Sequence, residues 1–491
     1  MKKIKKYSLI IKNFSYNLSY QILALFLPII TTPYITRVFT RDTIGLLSVT
    51  EANCSYFVLL GMLGITLLGP REIAKCLGNK EILTDTFFDI YRIQFIAHII
   101  AGIIYICYCG VTGKSSIAYM YLLYLTASMF DISWFYIGIE EFKAISFRNV
   151  FVKLVSFSML FLCVRKESDI YAYIETMYIP QMIINIYMWG LLIKKYIFFE
   201  AKKIVRVKNN YVKEALSLFV PQVASSIYTV LDKTILGMYT TYSTVAIYTQ
   251  GQTLLRLILA IVPCFSRVMS PRISYYIAKK ADDEIQKYME MSANVIGYLS
   301  FLLFFGVLSY SQLFIDWYLP SAYKQTGEVL KICSPIILAV SGANLFSIQY
   351  LIPLGKQNKY TFSIIVSTIV NMSINFALAP IWGIYGVCLG SVIAEITGFL
   401  IQMQYARKTL NLISMFRNYP SYILSGGIMY IISQKMNKYY DSNIIKLAML
   451  ICISGCNAAN DALLNFNGAE NLTKRQNYLQ IIQTQLQLLL L

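Results

Sequence analysis

Charge is what this sequence has least of. Asp, Glu, Lys and Arg together make up 14% of its 491 residues, against roughly 25% in a soluble globular chain. Ten cysteines are present, but they are scattered, mostly inside apolar blocks (Cys54, Cys107, Cys163, Cys264, Cys388), and no CxxC pair occurs. That distribution suits small packing residues better than metal ligands or disulfides. Walker A, HExxH and GxSxG sequences are missing, as is any Cys/His cluster around the single histidine, His98. The sequence therefore offers no catalytic site, no metal and no cofactor, and any ATP-driven step would need another chain. Period-two alternation over segments of about ten residues is also missing, which excludes a membrane β-barrel.

What is present is apolar sequence in long blocks: 57% hydrophobic residues at a mean hydropathy of +0.56. A bilayer core about 30 Å thick is crossed by a helix of roughly 20 residues, and in lipid only structures that pair their own backbone groups can span. The blocks predict an all-α membrane protein of 12–14 transmembrane helices: 14–36, 44–69, 88–111, 117–138, 145–164, 170–193, 214–236, 244–266, 292–315, 328–352, 360–380, 384–403, 420–433 and 444–456. The stretch after Met1-Lys2-Lys3 is too long for a signal peptide and lacks a small-residue cleavage site, so it reads as an uncleaved first helix.

The formal net charge of +18 sits in short loops between these blocks. That placement points to topology and anionic lipid headgroups and away from nucleic acid. With the N-terminus inside, and with Arg148 and Lys331 at span edges counted with their loops, one side collects 29 basic residues and the other 9, which predicts both termini in the cytoplasm. The basic connection from Lys194 to Lys213 separates two six-helix lobes, 1–200 and 201–410, and leaves 411–491 as two further helices and a polar tail.

Several predicted spans carry polar residues at helical spacing. The first holds Asn13, Asn17, Gln21 and Thr31, and the seventh holds Gln222, Ser226, Thr229 and Lys233 beside Asp232. The eighth has Thr249, Gln252 and Arg256, the eleventh Thr368, Asn371 and Asn375, and the twelfth Ser391, Glu395 and Gln402. Steps of three and four put each set on one face, where hydrogen bonding between helices is a sufficient account of the neutral groups. Ionisable residues are costlier, about 2.5–3.5 kcal/mol at mid-bilayer, and normally face a protein interior or a wet cavity. Glu51, Asp131, Lys153, Asp232, Lys233, Arg256 and Glu395 are such residues. They fit a hydrated central passage, with buried pairs that lock the bundle as the competing account. Asp131, Asp232 and Glu395 are the candidate carriers of H+ or Na+. Prolines (Pro28, Pro33, Pro221, Pro263, Pro335, Pro353) allow bending, and Gly61, Gly64 and Gly69 allow close helix approach.

The order of motifs resembles the polysaccharide (Wzx-type) flippases of the multidrug/oligosaccharidyl-lipid/polysaccharide exporter superfamily. The segments that carry the resemblance are Pro28 to Arg37 with Ile44-Gly45, Gly69-Pro70-Arg71-Glu72, Asp131 to Glu140, Leu231-Asp232-Lys233-Thr234, Pro353-Leu354-Gly355-Lys356 and Asn371 to Asn375, over roughly residues 8–450. The resemblance implies a MATE-like fold of two pseudo-symmetric six-helix lobes in a bacterial plasma membrane. It also implies ion-coupled alternating access that moves undecaprenyl-diphosphate-linked oligosaccharide outward for capsule, exopolysaccharide or O-antigen synthesis, alongside polysaccharide polymerase and assembly proteins. Lys153, Lys233, Arg256, Arg37, Gln21 and Asn17 are the residues expected to meet such a substrate, since a diphosphate favours cations. The competing functions are a cation-coupled multidrug exporter, a lipid II flippase and a membrane glycan polymerase. The last would need a long external loop, and the longest here, about 316–327, is small. Residues 444–456 are short for a span and the tail beyond is rich in Asn and Gln, so the final helix reads as altered from the family pattern.

Overall fold

A computed structural model describes residues 23–113, 116–196 and 209–436, and every regular element among them is helical. The helices are α1 Leu23–Val38, α2 Arg41–Met62, α3 Ile65–Lys75, α4 Lys80–Val111, α5 Ser116–Met120, α6 Leu122–Met129, α7 Ser133–Gly138, α8 Phe142–Cys163, α9 Ile170–Lys195, α10 Asn209–Tyr239, α11 Tyr242–Leu259, α12 Ile261–Ala278, α13 Asp282–Tyr318, α14 Gln325–Cys333, α15 Pro335–Phe346, α16 Gln357–Trp382, α17 Ile384–Ala406, α18 Leu412–Met415 and α19 Tyr419–Met436. Eight helical stretches are long and apolar enough to cross a membrane, and a ninth is the α14/α15 pair bent by 44°. The described parts of the first thirteen predicted spans each fall on one of these helices or broken helices. Residues 14–22 of the first span, with Asn17 and Gln21, the predicted fourteenth span and the tail lie outside the described residues.

The breaks have local causes. The predicted span 117–138 is not one rod but three short helices, because the chain turns out at Tyr121 and again at Phe130–Ile132. At the second turn the Asp131 carboxylate accepts from the Ser133 amide at 2.8 Å and so starts α7. Pro335 begins α15 after the 44° bend, where a missing N–H costs least. Between α2 and α3 the chain passes through Leu63 (φ 41°) and Gly64 (φ 77°). A Cβ on Gly64 would stand 2.5 Å from the Ala215 carbonyl oxygen and 2.9 Å from the Phe219 amide nitrogen of α10, so both the turn and the contact require glycine.

α2 and α11 begin with the same device. Thr40 accepts from the Thr43 amide and Thr241 from the Thr244 amide, at 3.3 and 3.4 Å, each satisfying an N-terminal donor. These two starts meet: the Ser243 amide and hydroxyl donate to Asp42 Oδ1 at 3.1 and 2.9 Å, and Gly45 lies against the Tyr242 carbonyl. Nearby, Arg41 donates to the Ala322 carbonyl at 2.9 Å. The first and second halves of the chain are thus sealed to each other at this end.

Further along the seam, Tyr56 and Asn53 of α2 reach Thr234 of α10 at 3.1 and 3.3 Å, and Thr66 of α3 donates to Gln222 Oε1 at 3.1 Å. Many Ile, Leu and Phe side chains of the long helices are exposed on the outside of the bundle, Ile103 at 58% and Ile369 at 59% among them. An outer surface of that kind suits lipid, where apolar contact carries no penalty.

Replacing Gly64 by alanine is expected to lower the melting temperature of the purified protein, by about 1 kcal/mol or more of stability. Gly427→Ala in α19, where nothing lies within 4 Å of the added carbon, should not. Equal melting curves for Gly64→Ala and the parent would refute the contact.

Candidate functional site

Four helices of the second half converge on one carboxylate. Asp232 on α10 accepts from the Tyr248 hydroxyl of α11 at 2.5 Å and from the Ser391 hydroxyl of α17 at 2.8 Å, both at Oδ2. Its Oδ1 accepts from Asn375 Nδ2 of α16 at 2.6 Å. Asn375 Nδ2 also reaches Asn371 Oδ1 at 3.3 Å, and Ser391 donates to the Val387 carbonyl at 3.1 Å. Tyr248, Asn371, Asn375 and Ser391 are buried.

The close approach that brings α16 and α17 to this point is written in glycine. A Cβ on Gly386 would meet the Leu378 carbonyl at 2.6 Å, and one on Gly390 would collide with Asn375 Oδ1. Small residues four apart let membrane helices touch backbone to backbone.

The donor set is all oxygen once the two amides turn: a carboxylate, two amide oxygens, a hydroxyl and a main-chain carbonyl. Oxygen ligands of this kind suit hard cations, and transporter ion sites are commonly assembled from side-chain and unwound backbone oxygens. Asn375 Oδ1 and Asn371 Nδ2 are buried and make no hydrogen bond. A buried polar group left so costs about 1–3 kcal/mol, and a cation coordinated by Asn375 Oδ1 would remove that oxygen's share of the cost. No Lys or Arg forms a salt bridge with Asp232 among the described residues.

The other expected residues fall in three places. Lys233, partly buried, follows Asp232 on α10, within the electrostatic reach of Glu51 on α2 and Arg256 on α11. Glu51 also accepts from the Tyr178 hydroxyl of α9 at 3.2 Å, and Arg256 is exposed near the end of α11. This group lies along the seam between the halves. Arg37 belongs instead to the sealed end, where it donates to the Pro33 carbonyl at 2.8 Å and the Tyr318 carbonyl at 3.4 Å.

Asp131 is not gathered into either group. Arg148 of α8 donates to its Oδ2 at 2.5 Å, and both side chains are mostly buried, at 13% and 12% exposure. Lys153, one turn and more beyond Arg148 on the same helix, is exposed and away from the Asp232 cage. Glu395 of α17 lies one turn from Ser391, inside a separate cavity. His98 packs as a buried ring against Gly61 and bonds Ser128 Oγ at 3.0 Å.

Sequence reasoning missed Tyr248, whose aromatic ring counts as apolar in a periodicity search and whose hydroxyl alone reaches the carboxylate. It also missed the pairing of Arg148, which sits so near the start of its helix that it reads as a loop charge. Asn371, Asn375 and Ser391 were visible as stripes, but nothing in their spacing says that two stripes share one acid.

An all-α bundle of long apolar helices, several of them broken, with a seam between its halves defines a multi-pass membrane protein, and its fold is that of known flippases and exporters. The lipid II flippase MurJ, in an inward closed conformation, superposes with a TM-score of 0.73 at 13% identity, over 93% of this chain and 99% of its own. An inward-facing multidrug transporter of the MATE family gives 0.61 at 11% identity, over 79% and 94%. The profile of the polysaccharide biosynthesis protein family matches residues 10–277, more than half of the sequence, and the chain belongs to that family. Proteins named as O-antigen transporters are similar along most of their length: one from Shigella dysenteriae at 24% identity (77% of this chain, 95% of that protein) and one from Escherichia coli strain K12 at 18% (78% and 93%). The resemblance drawn from the motifs is borne out, and these relatives are transporters and not catalysts.

Asp131 and Asp232 should respond differently to mutation. Asp131→Ala strands Arg148 and is expected to cost about 3–5 kcal/mol, read as a large drop in melting temperature. The double change Asp131→Leu, Arg148→Met should recover most of it. Asp232→Asn should leave melting nearly unchanged and abolish transport. A stable, active Asp131→Ala protein would overturn the structural assignment of that pair.

Proposed function

We propose that this protein flips an undecaprenyl-diphosphate-linked oligosaccharide across a bacterial plasma membrane for O-antigen or related surface polysaccharide, driven by Na+ bound at Asp232. The observation that carries the reading is the oxygen cage around that carboxylate, set beside a seam that holds Lys233 and Arg256. The family and the O-antigen transporter relatives support the choice of cargo.

The charge balance along the seam favours an anionic headgroup. Asp131 is neutralised by Arg148, and Asp232 would be neutralised by its cation, which makes Lys233 and Arg256 the cationic groups of the seam toward which a diphosphate would be drawn, across from Glu51. The sugar travels in the wet seam while the polyprenyl chain remains in lipid. With basic loops on the cytoplasmic side, the sealed end formed by Asp42, Ser243 and Arg41 faces outward. Asp232 and Tyr248 lie on α10 and α11, whose junction forms part of that seal. Occupancy of the cage can therefore bias whether the seal holds, as a ligand does when it binds one state better than another. Exchange at the outer face requires that seal to open. The polymerase and assembly proteins that would receive the product act beyond this chain.

Deleting the gene is expected to trap lipid-linked oligosaccharide in the inner leaflet and remove surface polysaccharide. Lys233→Ala should weaken headgroup binding by about 1.5–3 kcal/mol, roughly 10- to 100-fold in affinity. Na+ at about 100 times its dissociation constant should stabilise the purified protein by about 2.7 kcal/mol and should have no such effect on Asp232→Asn. Intact surface polysaccharide in a deletion strain without a redundant transporter would sink the flippase reading. Resistance to cationic drugs lost in that strain would favour a multidrug exporter instead.

A further inference from the structure

α16 and α17 carry a second polar feature beyond the Asp232 cage. Between α15, α16 and α17 lies a cavity of about 270 Å3 whose lining includes Asn344, Ser363, Ser367, Glu395, Phe399 and Gln402. The cavity and the cage are ends of one structure. On α16, Ser363, Ser367, Asn371 and Asn375 recur every four residues, and on α17 Val387, Ser391 and Glu395 do the same, with Gln402 two turns further on. Each set forms one stripe on its helix. The stripes face each other: Gly390 lies against Asn375, a Cβ on Gly398 would stand 2.5 Å from Ser367 Oγ, and Gln402 Nε2 donates to Ser363 Oγ at 2.9 Å. Asp232 is bound at one end of this ladder. Glu395 stands a single turn from Ser391, about 6 Å along the axis.

Two observations point to a ligand in the cavity. Gln402 is only 4% exposed, yet its Oε1, an acceptor that a cation or its water can meet, makes no hydrogen bond, and the Glu395 carboxylate lines the same space. Buried polar atoms of this kind are costly unless something hydrates or coordinates them. A carboxylate in the same space sets the sign of the occupant, and the volume admits a small monovalent cation together with water. The lower end of the ladder meets the start of α16 and the end of α17, flanked by Lys356, Lys359, Arg407 and Lys408. By the distribution of basic loops that end is cytoplasmic.

We propose that this cavity is a second cation site, through which the ion held at Asp232 exchanges with the cytoplasm, with Glu395 as the relay carboxylate. The inference rests on the reading of Asp232 as the primary ion site. Glu395 offsets the cost of carrying a cation through the membrane interior between the cage and the aqueous phase. It is a transit site that lowers a barrier, and it does not hold the resting ion.

The experiment uses 22Na+ and the full chain in liposomes, with equilibrium binding and the rate of exchange measured separately. Glu395→Gln should keep the equilibrium stoichiometry and slow exchange by at least about tenfold. Glu395→Asp, which keeps the carboxylate, should restore most of the rate and so separates the relay from a packing defect. An unchanged rate in Glu395→Gln overturns the proposal, and so does loss of the bound Na+, which would make Glu395 part of the primary site. Asp232→Asn should bind no 22Na+. If it binds normally, the assignment of the primary site fails, whereas failure of the relay alone shows as normal binding with normal exchange in Glu395→Gln.

Discussion

A carboxylate surrounded by helices in a membrane is the constraint around which the second half of this molecule is arranged. In a low-dielectric surrounding a lone charge is expensive, and the protein meets that expense with hydrogen bonds from three helices onto Asp232. Each donor needs its helix at a fixed distance and rotation. The glycines at Gly386 and Gly390 are what permit that distance. Remove the acid, and the polar faces of α11, α16 and α17 lose their common acceptor. Keep it, and the four helices are tied into one unit through a single side chain.

The same logic explains why the intramembrane charges sort into three kinds. Asp131 and Arg148 satisfy each other at 2.5 Å, so the pair is electrically quiet and serves to hold α8 against the break before α7. Asp232 is satisfied by neutral donors from three helices, with no salt bridge to it among the described residues. Lys233 lies within the electrostatic reach of Glu51 and Arg256 along the seam. Sequence alone places all of these side chains except Arg148 in apolar segments and cannot sort them, because the sorting depends on which helices are neighbours.

Much of the fold was legible from block lengths and loop charges. The described parts of thirteen predicted spans fall on helices or broken helices, because a 20-residue apolar run in lipid has few alternatives. The misreadings came where one residue changes the path. The span 117–138 breaks at Asp131, whose side chain starts a new helix instead of lying on the face of a continuous one. In the sequence, Pro335 marks only a place where a helix can bend and Gly64 only a close helix approach, so neither the 44° bend nor the left-handed turn at Leu63 and Gly64 is legible there. The candidate site was half legible: the stripes on α16 and α17 were read correctly as polar faces, yet their shared target was hidden, since no periodicity reports contact across 143 or 159 residues.

The pairing of Asp131 with Arg148 also bears on how the chain enters the bilayer during synthesis. Either residue buried alone would add to the cost of inserting its segment. Because the partners are 17 residues apart, on opposite sides of the short α7 turn, a translocating hairpin of α6 to α8 can bring them together before either is exposed to hydrocarbon. These segments are therefore suited to leave the insertion machinery as one neutral unit, with the order of membrane entry set by an ion pair and not by hydropathy alone.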